Sequence, residues 1–545
     1  MSGDPSLTRW PESRAPRGMV ASPHLLASAS GVAALRAGGN AVDAAIAAAA
    51  TIAVVYPHTN GIGGDNVWLI YDAERRGLRA LCGVGRSARA ASIDWYRARG
   101  VDEAIPSRGG LAALTVPGAV DGWWHAHALS RDTLRSPLPW HALLADAIAY
   151  AREGFSASDG QRIPPPREPD LFGPGATDEI RRALWPRYHP EALARGPLIQ
   201  PDLARTLEWI ASDGPDVFYR GEVGRRIVAG ATAAGSPLAA EDFADHRSDW
   251  MEPLTTPYGD GVAASAPPPT QGMSALAMLA LSAAFDVAAL PESDYVHVLV
   301  EAAKLAFADR DRHLTDPGFM RVSPDELLEP ARLRRLAGRI SLHHASPPLA
   351  AAGTAGDTIA IVAADRAGNA VSLIQSLYFT WGSGVVAGDT GVVLQNRGSF
   401  FSLDPRDANA LAPGKRTMHT LTPSMYVVDG RARFAYGTMG GEGQPQTQAA
   451  VLTRRLLRGL GPQAAVEAPR WLYGRTWGVV SRALSLEGRY PASLARDLAD
   501  RGHEVRIAGE WDDLFGHAQC VWLDPDDQGL VGGSDPRADG GALGF

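Results

Sequence analysis

Apolar positions along this chain repeat with two different periods. Between Tyr295 and His313, Val296, Val300, Lys304 and Phe307 recur at helical spacing, which predicts one helix. Gly38-Gly39-Asn40 punctuates the chain before Ala41–Val55, which is helix-forming as far as Thr51 and the β-branched residues after it. Strand-like alternation appears at Val67–Tyr71 and at Ala360–Ala364. Ser136 to Glu241 reads as mostly helical, interrupted by the proline-rich stretch Pro164–Pro174. There is no internal repeat and no long low-complexity segment.

The sharpest boundary is His343 to Asp357, small and rich in Pro and Ala with almost no apolar periodicity, which predicts an exposed flexible linker. Directly after it, Thr358 to Ala364 is predicted as a strand. Asp365-Arg-Ala-Gly-Asn369 supplies turn residues, and Ala370 to Phe379 is a second strand, so the pair predicts a hairpin.

Composition narrows the class. The chain has 545 residues, 45% apolar and 21% charged, which is a globular composition long enough for a large core. A formal net charge of −8 argues against a nucleic-acid partner, which needs a basic face. Two cysteines, Cys82 and Cys520, make no disulfide framework, and no Cys/His cluster has zinc spacing, so neither a metal nor an organic cofactor is expected. The first twenty residues hold no apolar run, and Ala41–Val55 is too short and carries Asp43, so no membrane association is expected and a cytoplasmic protein is the default.

Thr358 is the residue to which the layout points. A threonine hydroxyl needs a base, and a threonine freed at a chain terminus carries one in its own α-amino group, of pKa about 8. A flexible linker running into a strand that starts with Thr suits cleavage at Asp357–Thr358. Taken alone, though, Thr is a common strand residue. Gly440-Gly441, after the strand-like Arg433–Tyr436, allows close approach of backbone N–H groups, as an oxyanion hole requires, and equally suits an ordinary turn. Gly61-Ile-Gly-Gly-Asp65 lacks the Lys-Ser/Thr ending of a phosphate loop. Arg86 offers a fork of donors to a carboxylate, although a lone Arg is more often a surface residue. His24 and His419 stand in no Ser–His–Asp arrangement and read as structural histidines.

Together these segments resemble the gamma-glutamyltransferase family. The matching stretches are Gly18–His24, Ala37–Ala45, Gly61–Gly64, Thr115–Gly122, Pro267–Gly272 and Glu301–Asp311. Beyond the linker they are Gly356-Asp-Thr358, Gly368–Val371, Phe379–Gly384, Pro413–Arg416, Ala468–Arg470 and Ser534–Arg537. The resemblance implies an α/β fold, a four-layer αββα sandwich of the N-terminal nucleophile hydrolase type. It implies cleavage into a large subunit, residues 1–357 with its helical insertion 136–241 and linker 343–357, and a small subunit, 358–545. The two would stay associated as a heterodimer, or as a dimer of these. It further implies Thr358 as nucleophile on a small-molecule amide, Ser376 as a supporting hydroxyl, Gly440 and Gly441 as the oxyanion hole, and Arg86 on a substrate carboxylate.

The departures from that family bear on substrate. Ala360 stands where members carry a His, and Tyr378 where they carry an Asn. Arg397 and Phe400 replace the Gln and Asp that hold a substrate ammonium, and His419-Thr420 replaces a Ser pair. The stretch Phe401–Pro413 is short, without a lid loop. Losing the acid and gaining Arg397 favours an anionic ligand, with Arg397, His419 and Thr420 as its candidate contacts. Glu442 could restore an acid for a γ-glutamyl substrate. Leu394–Phe401 and Gly440–Gln448 are similar to the oxamate amidohydrolase branch. The expected function is therefore a self-cleaving amidohydrolase of glutathione hydrolase type, with oxamate amidohydrolase as the alternative within the class. A non-catalytic, unprocessed binder of small carboxylates is the alternative outside it.

Overall fold

The computed structural model describes residues 8–162, 182, 184, 186, 188–194, 196–347, 357–474, 481–523 and 529–545. In chain order the strands are β1 (Ser13–Ala15), β2 (Gly18–Ser22), β3 (Asp65–Asp72), β4 (Gly77–Gly83), β5 (Asp249–Met251), β6 (Leu254–Tyr258), β7 (Gly261–Ser265), β8 (Asp357–Asp365) and β9 (Ala370–Tyr378). They continue with β10 (Ser424–Val428), β11 (Arg431–Thr438), β12 (Trp471–Tyr473), β13 (Leu484–Leu486), β14 (Val505–Ile507), β15 (Ala518–Leu523), β16 (Leu530–Ser534) and β17 (Gly541–Gly544). One seven-stranded sheet runs β1-β16-β15-β11-β10-β7-β6 and the other β17-β2-β8-β9-β3-β4-β5, with β12, β13 and β14 in a small third sheet. Neighbours in both large sheets are antiparallel.

Strand alternation builds the layers. Along β8, Ile359, Ile361 and Ala363 pack outward with Ile52 and Val54 of the helix Ala41–Val55. The intervening Ala360, Val362 and Ala364 pack inward with Met425, Ala435 and Val521 of the facing sheet. On that sheet Phe434 and Tyr436 turn outward to the helices Gly272–Ser282, Glu292–His313 and Gln444–Leu457. The result is helix, sheet, sheet, helix: the αββα sandwich expected from the sequence. The small residues on the inner faces are what let the two sheets stack closely. Each sheet takes strands from both sides of residue 358, so the two segments are interwoven rather than side by side.

Some boundaries differ from expectation for physical reasons. The helix Ala41–Val55 runs on through Thr51 to Val55; every residue in it is buried, and Asn40 and Asp43 form a capping box at its start. Burial of Ile46, Ile52, Val54 and Val55 at about 1.5–3 kcal/mol each outweighs the few tenths lost to β-branching. The long helix begins at Glu292, three residues before Tyr295, after the N-cap Pro291. The proline-rich stretch Pro164–Pro174 lies outside the described residues, as do residues 348–356 of the linker. The linker's beginning is anchored rather than loose. Ser346 N–H donates to Glu301 Oε2 at 3.0 Å, its carbonyl accepts from Lys304 Nζ at 2.8 Å, and Ala345 N–H donates to the Arg501 carbonyl at 2.8 Å. Among the described residues no helix is long and apolar enough to cross a membrane.

Candidate active site

Thr358 is the second residue of β8, one side of a β-bulge. Asp357 pairs with Tyr378 and Ile359 with Gln375, so the register slips across Thr358. Bulges re-aim side chains at the ends of strands. The slip is matched by Tyr378, which has φ of 84°, the left-handed region that a bulky residue enters at a cost of about 1–3 kcal/mol. The strained residue therefore lies directly across the ladder from the Asp357–Thr358 bond.

The hydroxyls of Thr358 and Ser376 meet here. Thr358 Oγ1 donates to Ser376 Oγ at 3.3 Å, and Ser376 Oγ also accepts from the Tyr378 N–H at 2.7 Å. The Arg397 guanidinium approaches the same oxygen at 3.5 Å and donates to Thr420 Oγ1 at 3.2 Å. It also lies 4.0 Å over the Tyr378 ring. Arg397 is fully buried, and burial pulls its pKa down to about 10, against the opposing pull of Tyr378, Asp65 and Glu442. It still carries its charge at neutral pH. Glu442, also buried, shares this electrostatic environment. Phe400 packs against Tyr378, ring centroids 5.2 Å apart, and walls the site with an apolar face.

Gly440 and Gly441 follow β11 at φ of 128° and 52°, conformations that side chains disfavour. Both are buried, and among the described residues their N–H groups have no acceptor. Buried orphan amides are rare, and a pair of them is a ready seat for a developing oxyanion. Gln271 ties this turn to the cluster, its Nε2 donating to the carbonyls of Gly441 at 2.9 Å and Thr420 at 3.1 Å. Arg310 in turn donates to Gln271 Oε1 at 3.0 Å.

Two candidate contacts have their side chains engaged elsewhere in this structure. His419 is wholly buried, its Nε2 facing Asp65 Oδ2 at 3.2 Å and its Nδ1 accepting from the Leu421 N–H at 3.4 Å. Both ring nitrogens are engaged within the chain, and burial with the nearby Arg397 lowers its pKa to about 4, so it stands as a neutral prop for Asp65. Arg86 is not brought to the cluster either. The peptide unit that follows it is pinned, by Val116 N–H to the Arg86 carbonyl at 3.0 Å and Ser87 N–H to the Lys415 carbonyl at 2.9 Å. The side chain, 48% exposed, runs outward to Asp316 Oδ2 and the Gly414 carbonyl, both at 3.2 Å. His24 caps the helix Leu25–Arg36.

Asp65 is the residue the sequence reading missed. It sits beside Ser376 in the ladder, and its Oδ1 accepts from the N–H groups of Gly85 and Gly118, each at 3.0 Å. Its place at the end of Gly61-Ile-Gly-Gly-Asp65 was the available signal. Those glycines serve close packing: a Cβ on Gly64 would lie 2.2 Å from the Ser376 carbonyl oxygen. One group of metal-ligating types also assembles, His297, Glu301 and His503, with ligand atoms within 4.8 Å of one another. It is satisfied internally. Lys304 Nζ donates to Glu301 Oε1 at 2.7 Å, His297 Nδ1 and His503 Nε2 are 2.8 Å apart, and an ion would have to displace the ammonium.

Comparison with known proteins accords with this geometry. The gamma-glutamyltranspeptidase family model matches residues 27–545. The oxamate amidohydrolase proenzyme of Klebsiella pneumoniae is 44% identical over 97% of this chain and 98% of its own length. The glutathione hydrolase-like YwrD proenzyme of Bacillus subtilis is 41% identical over the same shares. Among solved structures, the cephalosporin acylase from Bacillus halodurans superposes with a TM-score of 0.89 at 34% identity, covering 100% of this chain and 99% of that one.

Proposed function

This chain belongs to the gamma-glutamyltranspeptidase family and is an enzyme of the N-terminal nucleophile amidohydrolase class, and from that premise we propose that it cleaves itself at Asp357–Thr358 and then hydrolyses a small anionic amide of the oxamate type. In the first step Thr358 Oγ attacks the Asp357 carbonyl carbon. The peptide becomes an ester as the Thr358 nitrogen leaves and takes a proton, and water hydrolyses that ester. Residues 1–357 and 358–545 then persist as one heterodimer, because each sheet draws strands from both.

In turnover the new α-amino group of Thr358 takes the hydroxyl proton, and Oγ attacks the substrate amide carbon. The amides of Gly440 and Gly441 receive the oxyanion. Ammonia leaves with the proton, and water releases the acid from the acyl-enzyme. Arg397 takes the substrate carboxylate in place of Arg86. Departure of the Asp357 end from its pairing with Tyr378 opens the approach to this buried cluster.

The observation that carries the substrate reading is the buried Arg397 cation joining Ser376 to Thr420 beside Thr358. The 44% identical relative named for oxamate supports the same choice. The second reading, a γ-glutamyl amide as for glutathione hydrolases, rests on buried Glu442 as the acid for a substrate ammonium. Ammonia release from oxamate, run beside release of the aniline from a γ-glutamyl anilide, decides between them. Turnover of oxamate with little aniline release supports the first, and the reverse result replaces it with the second.

A further inference from the structure

The β8–β9 turn lies at the opposite end of the sandwich from Thr358. Seven strand steps of roughly 3.3 Å put it about 23 Å away. Beside it the turns of both sheets leave a cleft of about 1000 Å3. Five arginines line it: Arg17 from the β1–β2 link, Arg76 from the β3–β4 turn, Arg366 from the β8–β9 turn, and Arg431 and Arg433 from β11. Among the described residues none of the five guanidinia has a carboxylate partner. The two acids of the lining are already committed. Asp365 accepts from the N–H groups of Ala41 and Ala367 and from Asn369, and Glu74 faces Arg135 at 3.7 Å.

The chain is acidic, with 60 carboxylate residues against 52 basic ones, and several exposed arginines elsewhere pair with acids, as in Arg14–Glu12, Arg131–Asp132, Arg225–Glu222, Arg406–Asp404 and Arg506–Glu504. In the cleft five like charges are instead held together against their own repulsion. Arg76 is held there at φ of 51°, where glycine or asparagine is cheaper. One-signed clefts focus the field and collect counter-ions.

We propose that this cleft is a binding site, separate from the catalytic cluster, for a small oligo-anion. Guanidinium forks match phosphate and carboxylate equally. Five of them, spread over three turns and the start of β11, suit several anionic groups along one ligand rather than a single ion. The ligand's charged chain is the recognised part, because among the described residues the cleft has no stacking platform: Tyr71 is buried, its hydroxyl donated to the Gly430 carbonyl at 2.7 Å.

Isothermal titration of the full chain with tripolyphosphate and with citrate, at low and at moderate salt, tests this. One-to-one binding of tripolyphosphate identifies a phosphate chain, and of citrate a polycarboxylate. In either case the paired substitution Arg366→Ser/Arg431→Ser weakens binding by about tenfold or more, the worth of one charge-assisted contact, and leaves the melting temperature unchanged. Arg17→Ser gives a second, independent reading from another turn. Binding of neither anion, or binding unaffected by both variants, overturns the proposal. So does binding that appears only once Asp524, Asp526 and Asp527, which lie in sequence between the lining residues Leu523 and Gly529, are changed to Asn, because the arginines would then serve the chain's own loop.

Discussion

Replacing Arg397 by Gln separates two roles that a buried cation can have. The fall of its pKa from 12.5 to about 10 is dominated by burial and amounts to roughly 3 kcal/mol against keeping the charge in the folded protein. The partners it has, Thr420 and Ser376 hydroxyls and the Tyr378 ring, do not repay that cost. Arg397→Gln is therefore expected to leave the unfolding free energy unchanged or to raise it by up to about 3 kcal/mol. Activity moves the other way. Losing charge-assisted hydrogen bonds to a substrate carboxylate removes about 3 kcal/mol of binding, which is a fall of about 150-fold in kcat/KM on oxamate. Oxamide, which lacks the charge, should change by no more than a few-fold. The assays are denaturant unfolding and ammonia release from both amides, on protein whose cleavage has been verified by mass. A variant destabilised by several kcal/mol, with equal losses on both amides, would refute the reasoning and make Arg397 structural.

Three further outcomes follow from the geometry. Arg86→Lys should leave KM for oxamate within about twofold, since its Nη1 is held outward by Asp316 and Gly414; a sharply raised KM would show that the side chain swings inward after cleavage. Ala360→His, which installs the residue usual at this position, should destabilise by about 1–3 kcal/mol, because Ala360 is buried between the sheets opposite Gly437, where even a Cβ on Gly437 would lie 3.4 Å from the Ala360 methyl; an unchanged unfolding midpoint contradicts this. Acid should weaken the fold earlier than carboxylate titration alone. His419 and His517, both buried, have pKa values lowered to about 4 by burial, so between about 6.5 and 4 the unfolded chain binds protons the folded one does not, and stability falls with pH by roughly 3 kcal/mol for each. A urea midpoint that stays flat from pH 7 to 4.5 would count against it.

What the sequence disclosed was what depends on neighbours in the chain. The β8–β9 hairpin was legible because alternation and the Asp365–Asn369 turn are local signals, and Thr358 stood out because it opens a strand after a linker. Asp65 was not legible in its role: its partners Gly85, Gly118 and His419 lie 20, 53 and 354 positions away, and only the fold collects them. The direction of Arg86 was not legible for a related reason, since its side-chain partners Asp316 and Gly414 lie 230 and 328 positions away. The five cleft arginines share no motif; they come from three turns and the start of β11, and the stacking of the two sheets brings these together.

The central claim is that Thr358 is freed by the chain's own chemistry. Intact mass of the purified wild type and of Thr358→Ala, followed over time at neutral pH, tests it most directly. Two species are expected for the wild type, the smaller beginning at Thr358, and a single full-length species for the variant. A wild type that stays whole, or a Thr358→Ala protein that splits at the same bond, contradicts it.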